Sequence, residues 1–255
     1  MNILVEYINY RFKAKGRHGI HSPFVYSFLN ECLSTKIDKK FKNSRKNLFK
    51  NLKNDNSIIE ISDFGVGSKK LGLSRKISKI FSTSSSKGKY GDFLYKVVNY
   101  YKPKSILELG TSLGIGTIHI SYGNPESKII TVDACKNTSN RAIQNFNSLE
   151  IKNITTIQST FTDFINTISE EKFDLIFIDG HHDGKALLEY IQLLLPFSHN
   201  DTLFILDDIR WSKSMFEAWN EIIKNENFHL TIDLFRMGII MMRNQQEKEH
   251  FILKI

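Results

Sequence analysis

Cysteine, proline and long apolar runs are all scarce in this chain. Its two cysteines, Cys32 and Cys135, lie far apart and form neither a disulfide framework nor a metal pair. Two reduced thiols in a cytoplasmic protein are therefore expected. Only 4 of the 255 residues are proline, and no glycine period runs through the chain, which excludes collagen-like and disordered chains. No stretch approaches the roughly 18 apolar residues that span a bilayer. The opening MNILVEYINYRFKAKGR does not read as a secretory leader, because Glu6 breaks its apolar run and positive charge follows that run. A soluble protein with no membrane partner is the expectation.

What is present is a globular composition, 41% hydrophobic and 24% charged, with a net charge of +8. The charge is unevenly placed. Residues 1–90 hold 19 Lys+Arg and 6 Asp+Glu, whereas residues 91–255 hold 16 and 21. A basic front is joined to a mildly acidic body.

The body alternates. Short apolar runs of strand length occur at 104–110, 128–133, 153–158, 173–179 and 202–208, separated by amphipathic stretches such as Lys136–Leu149 and Lys185–Leu195. Strands apolar on both faces and spaced by helices predict βαβ units and a parallel sheet covered on both sides. A helix at about Ser212–Lys224 follows, then two strands, FHLTIDLF and MGIIMMR, joined by a tight turn at Arg236–Gly238. So short a link predicts an antiparallel hairpin at one sheet edge. The fold class is α/β, a doubly wound, mostly parallel sheet ending in that hairpin.

The front is mainly helical, with short helices at 3–8 and 24–29, the second opening at Ser22-Pro23. Lys36–Asn56 reads as a solvated helix or a mobile loop, and Ser82–Lys89 as a flexible linker. Two units result: a basic extension over residues 1–86 and an α/β body over 87–255. Arg17–Phe24 is either a lid over the acceptor or a surface turn. Asp63–Gly67 is a turn and not a nucleotide loop.

Three features carry chemistry. Glu108-Leu-Gly-Thr-Ser-Leu-Gly-Ile-Gly116 lies between a strand and a helix, where a doubly wound sheet binds its ligand. Gly110, Gly114 and Gly116 permit a tight turn and close ligand approach. Their spacing is neither that of dinucleotide folds nor that of a phosphate loop. Asp133 ends the next strand, placed to accept hydrogen bonds from ribose hydroxyls or to cap the following helix. Asp179, Asp207 and Asp208 end the fourth and fifth strands, which brings three carboxylates to one rim. Each alone is as readily a loop cap. Together they repel one another unless a hard divalent cation joins them, Mg²⁺ first, with Mn²⁺ or Ca²⁺ as alternatives.

The chain resembles the class I S-adenosylmethionine-dependent methyltransferases and, within them, the metal-dependent catechol and caffeoyl-CoA O-methyltransferases. The resemblance covers about residues 87–243. It begins at Lys89-Tyr90-Gly91-Asp92-Phe93-Leu94, similar to the segment that closes over the methionine part of the cofactor. It continues through Glu108–Gly116, Asp133 and the Gln158-Ser159-Thr160 turn, where the family contacts adenine. The terminal hairpin is the family's way of completing a seven-stranded sheet.

The resemblance implies S-adenosylmethionine held by Tyr90, Gly91, Glu108, Gly110, Thr111, Ser112, Gly114, Gly116, Asp133, Ala134, Ser159, Thr160 and Asp179. It implies a metal held by Asp179, Asp207 and Asp208, where the family carries Asp, Asp and Asn. The third aspartate looks more like the sugar-hydroxyl methyltransferases of antibiotic pathways. His182 stands where catechol-type enzymes have a lysine base, and a histidine takes up a proton near neutral pH. His181 is the competing candidate, Asp179 an alternative proton acceptor, and Trp211 a wall for the acceptor. The expected reaction is methylation of a hydroxyl on a small molecule, with an anionic acceptor in keeping with the basic front. Alternatives are methylation of a hydroxylated uridine in transfer RNA and a non-catalytic cofactor-binding scaffold. A homodimer is an open expectation.

Overall fold

The computed structural model describes residues 2–16, 20–61, 73–83, 86–169 and 171–254. The front contains helices α1 (Ile3–Lys13), α2 (Pro23–Ser27) and α3 (Lys39–Asn54), strands β1 (Ile58–Ile61) and β2 (Leu73–Lys76), and helix α4 (Ile77–Thr83). The body begins with α5 (Gly88–Tyr101) and β3 (Ser105–Leu109). It continues through α6 (Ile115–Gly123), β4 (Lys128–Asp133), α7 (Lys136–Ser148), β5 (Ile154–Gln158) and α8 (Phe161–Ile165). Then come β6 (Leu175–Ile178), α9 (Gly184–Leu194), β7 (Leu203–Leu206) and α10 (Lys213–Lys224). Strands β8 (Leu230–Asp233), β9 (Gly238–Met241) and β10 (Glu249–Ile252) complete the chain.

The main sheet has the order β10-β8-β9-β7-β6-β3-β4-β5. Its pairings are parallel except at β9, which runs antiparallel to both β7 and β8. Alternation along each central strand explains the double cover. Ile106, Leu175, Phe177 and Ile205 pack into one apolar cluster with α5 and Phe28. Leu107, Ile176, Ile178, Phe204 and Leu206 pack into the other, with α9 and α10. The period-2 rule thus assigns neighbouring residues to opposite cores.

Eight strands replace the expected seven, because β10 adds in parallel outside β8. The hairpin is therefore not the sheet edge. Glu249-His-Phe-Ile lacks the unbroken apolar run of the inner strands, and its residues are partly buried except His250, which is exposed. Lys36–Asn56 resolves into α3, capped by the Asp38 carboxylate accepting from the Phe41 amide at 2.9 Å. Arg17 to Gly19 and the Asp63–Gly67 turn lie outside the described residues.

The front is fastened to the body at a buried histidine. Arg45 of α3 pairs with Asp92 of α5 and donates to His119 Nε2 at 3.0 Å, while His119 Nδ1 lies 2.7 Å from the Ile115 carbonyl. Neutral imidazole satisfies both contacts. Burial, and then the adjacent guanidinium, push His119 down to about 4. The unfolded chain therefore binds the proton first as pH falls from about 6.5. This histidine's contribution to stability is complete above that pH and is lost towards and through about 4, with a ceiling of about 3 kcal/mol. Buried Glu108, pushed up to about 7, has the opposite slope. The informative measurement is the difference between the parent and His119→Gln in denaturant unfolding from pH 7 to 4. The variant's curve is expected to be flatter. Parallel loss in both proteins would remove the role of His119.

Candidate active site

The chain leaves β3 for β4 and β5, then returns as β6 beside β3. A crevice opens at such a switch point beyond the carboxyl ends of the strands. Here it is a cavity of about 360 Å³ lined by Gly110, Thr111 and Ser112 together with Asp179, His182 and Asp208.

The loop needs its glycines. Gly110 has φ +111°, and a Cβ there would stand 2.0 Å from the Asp179 carbonyl oxygen. Gly114 has φ +76° and no room beside Phe146. Gly116 backs onto the Glu108 carboxylate, whose Oε2 accepts from Thr117 and Thr131 at 2.5 Å each. Glu108 is thus a buried brace beneath the loop. Asp133 ties the loop to β4, accepting from the Ser112 amide at 2.7 Å and the Cys135 amide at 2.8 Å. Cys135, not Asp133, is the residue at the N-cap of α7.

Of the cofactor candidates, Gly110, Thr111, Ser112, Gly116 and Asp179 line this cavity, whereas Tyr90, Gly91, Ala134, Ser159 and Thr160 are not among its lining residues. Tyr90 lies on α5 with its ring under the Arg236 guanidinium, 4.9 Å away. Gly91 allows α5 to pass close to His119, since a Cβ there would meet that ring at 2.6 Å. Ala134 follows Asp133 at the end of β4. Ser159 follows β5 and donates its amide to the Asp133 carbonyl at 3.2 Å. Thr160 caps α8.

The acidic rim differs from the expected trio in which residues converge. Ligand atoms of Asp179, His182 and Asp208 lie within 4.8 Å of one another. Asp207 stays at the same rim, sharing the Ser86 hydroxyl with Asp179. Arg236 grips the two Asp207 oxygens through Nε at 2.9 Å and Nη2 at 2.6 Å. The same Nε lies 3.0 Å from Asp208 Oδ1. The two histidines diverge. His181 bonds through Nδ1 to the Tyr190 hydroxyl, whereas His182 Nδ1 faces Asp208 Oδ2 at 3.8 Å with its ring 5.5 Å from Trp211. His181, His182 and Asp208 all carry positive φ, at 69°, 23° and 52°. Strain of this kind collects at functional sites, where the surrounding structure holds it.

Electrostatics at the rim are unbalanced. Burial first, and then the neighbouring carboxylates, raise Asp179 well above the usual acid range and raise Asp208 as well. Asp179, Asp207 and Asp208 share Arg236, and Arg75 also lines the cavity, so carboxylates outnumber guanidinium groups by one when all are ionised. Two carboxylates and an imidazole offer mixed oxygen and nitrogen donors, which can hold a divalent cation.

Two residues here were invisible to sequence reasoning. Arg236 lies in the β8–β9 link, read only as a tight turn. Ser86 sits in the supposed linker, yet it is 2% exposed and donates to Asp179 Oδ2 at 3.2 Å and Asp207 Oδ2 at 3.4 Å. Local composition carried no signal for either.

Comparisons agree with this architecture. A family described as a methyltransferase domain matches residues 107–209. No curated protein matches the chain. A Staphylococcus aureus structure assigned as a caffeoyl-CoA O-methyltransferase superposes with a TM-score of 0.58 at 15% identity, covering 65% of this chain and 88% of that one. The O-methyltransferase TomG from Streptomyces achromogenes, solved with SAM, gives 0.57 at 12% identity, covering 86% and 94%. A Bacillus cereus O-methyltransferase solved with SAH gives 0.56 at 16%, covering 91% and 99%. At these identities the structural likeness establishes the fold. Residues 107–209 match the methyltransferase-domain model, and the chain shares the fold of the caffeoyl-CoA-type O-methyltransferase structures.

Proposed function

We propose that this protein transfers the methyl group of S-adenosylmethionine to the oxygen of a small hydroxylated acceptor. Asp179 and Asp208 would hold a divalent ion beside His182. The observation that carries this reading is that the glycine loop and the acidic rim line one cavity. When bound, such an ion lowers the pKa of an acceptor hydroxyl and fixes its position.

The chain's own residues supply the rest. His182, half-exposed beside Asp208, takes the acceptor proton, with Asp179 as the alternative acceptor. A second cavity of about 490 Å³ adjoins the rim, walled by Tyr90, Trp211 and Phe235 and edged by Lys213. Aromatic walls with a cation at the edge suit a planar, anionic acceptor. The sulfonium donor is already activated, so proximity and alignment supply most of the rate.

A second reading draws on α3, where Lys39, Lys42, Lys46, Lys50 and Lys53 are all exposed. Such a row suits the phosphates of transfer RNA. Labelled methyl transfer to hydroxylated small molecules and to bulk tRNA, with Mg²⁺ or EDTA, separates the readings. Chelator-sensitive transfer to a small hydroxyl is expected, and transfer into tRNA alone would overturn it. Gly110→Ala is expected to weaken S-adenosylhomocysteine about tenfold or more by calorimetry, because its Cβ has no space and its φ is unfavourable. Unchanged affinity would remove the loop from the cofactor site.

A further inference from the structure

We propose that α1 seats the protein on an anionic membrane surface, with Leu4, Ile8 and Phe12 pressed among the lipid headgroups. The helix is fastened to the body by one side only. Tyr10 is its sole buried residue, bonded through its hydroxyl to the Leu253 carbonyl. The rings of Tyr7 and Tyr10 pack on Phe235 at 5.0 and 5.2 Å.

At about 100° per residue, Ile8 stands on the far side of the helix from Tyr10. Leu4 and Phe12 extend that outer side one turn in each direction. These three are 64%, 45% and 87% exposed, and neighbouring Val5 is 49% exposed. Six of the ten exposed large apolar side chains among the described residues lie on this one helix. A seventh, Trp211, is 66% exposed and lines the same cavity as Ile3. Scattered surface apolar residues need no explanation, but a concentration of this kind marks an interface.

Charge chooses the occupant. Arg11 and Lys13 lie in the last turn of α1 and Lys15 follows, while exposed Lys213, paired with Glu217 at 3.4 Å, stands beside Trp211. Among the described residues, none of Arg11, Lys13 and Lys15 forms an ion pair with an acid. A basic rim around an apolar stripe, with a tryptophan at its margin, matches an anionic lipid surface. The same rim would repel its copy, and one 11-residue helix falls short of the roughly 1,200–2,000 Å² that stable protein interfaces bury. No described helix is long and apolar enough to cross a membrane, so α1 would lie flat along the surface.

The test uses the full chain and vesicles of phosphatidylcholine with or without phosphatidylglycerol. The protein is expected to sediment with the anionic vesicles. Leu4→Ser/Ile8→Ser/Phe12→Ser should lose about tenfold or more of that binding while retaining S-adenosylhomocysteine affinity, which shows it is folded. Trp219 is fully buried, so a vesicle-induced blue shift of tryptophan emission reports Trp211 and should vanish in Trp211→Phe. Absence of binding to anionic vesicles at low salt would overturn the proposal. So would equal binding by the triple variant, or a solution dimer that the triple variant dissolves without any vesicle binding by the parent. None of these readouts requires methyl transfer, so this proposal and the proposed reaction fail separately.

Discussion

Asp179→Ala is expected to abolish methyl transfer, by on the order of 10³-fold or more, while S-adenosylhomocysteine still binds. Asp179 ends β6 at the meeting of the glycine loop and the acidic rim. Its ligand atom lies within 4.8 Å of those of His182 and Asp208, and it also accepts from Ser86. Its removal leaves the loop glycines and the Asp133 contacts intact, so cofactor affinity is expected to change little. Single-turnover label transfer and calorimetry measure the two separately. A variant retaining more than about a tenth of the parent rate would sink the assignment. Stability should move the other way. Burial and neighbouring acids raise the pKa of Asp179, so its ionisation opposes folding as pH rises. In EDTA, Asp179→Asn should melt above the parent at pH 8, with the gap closing as pH falls towards the ordinary carboxylate range.

Much of the body was legible because burial on both faces writes a strand as an unbroken apolar run. Leu175–Ile178 and Leu203–Leu206 are of that kind, and their carboxyl ends carry Asp179 and Asp207. The glycine loop was legible because Gly110 and Gly114 occupy backbone conformations that other residues adopt only under strain. β10 was not, since an edge strand needs no such run. The choice between His181 and His182 was not, because two consecutive positive φ angles turn adjacent side chains apart in a way that spacing alone does not show. Arg236 was hidden for a different reason. Its partner Asp207 lies 29 residues earlier, and a cation in a turn has no local mark of what it faces. The outer side of α1 was equally hidden, since an apolar helix in sequence reads as a docked one.

Arg236→Met is expected to produce the largest loss of stability of any single change at this site. The Asp207 side chain is fully buried and that of Arg236 is 28% exposed, so their pair at 2.6 Å is shielded from solvent. With the guanidinium gone, Asp207 retains the Asp208 amide at 2.8 Å and the more distant Ser86 hydroxyl at 3.4 Å. Two such donors do not replace a bidentate cation. Leaving one partner of a buried pair costs about 3–5 kcal/mol, roughly 10 °C in melting temperature for a chain of this size. Adding Asp207→Asn should restore most of that loss, because the amide needs no counter-charge. In the single variant, Mg²⁺ or Mn²⁺ should raise the melting temperature more than in the parent, where Arg236 already neutralises part of the rim. A variant melting within a degree or two of the parent would mean that solvent, and not Arg236, carries the charge of Asp207. If the single variant is destabilised but indifferent to divalent ions, the rim does not bind them. The same melting curves therefore test the ion pair and the cation site independently.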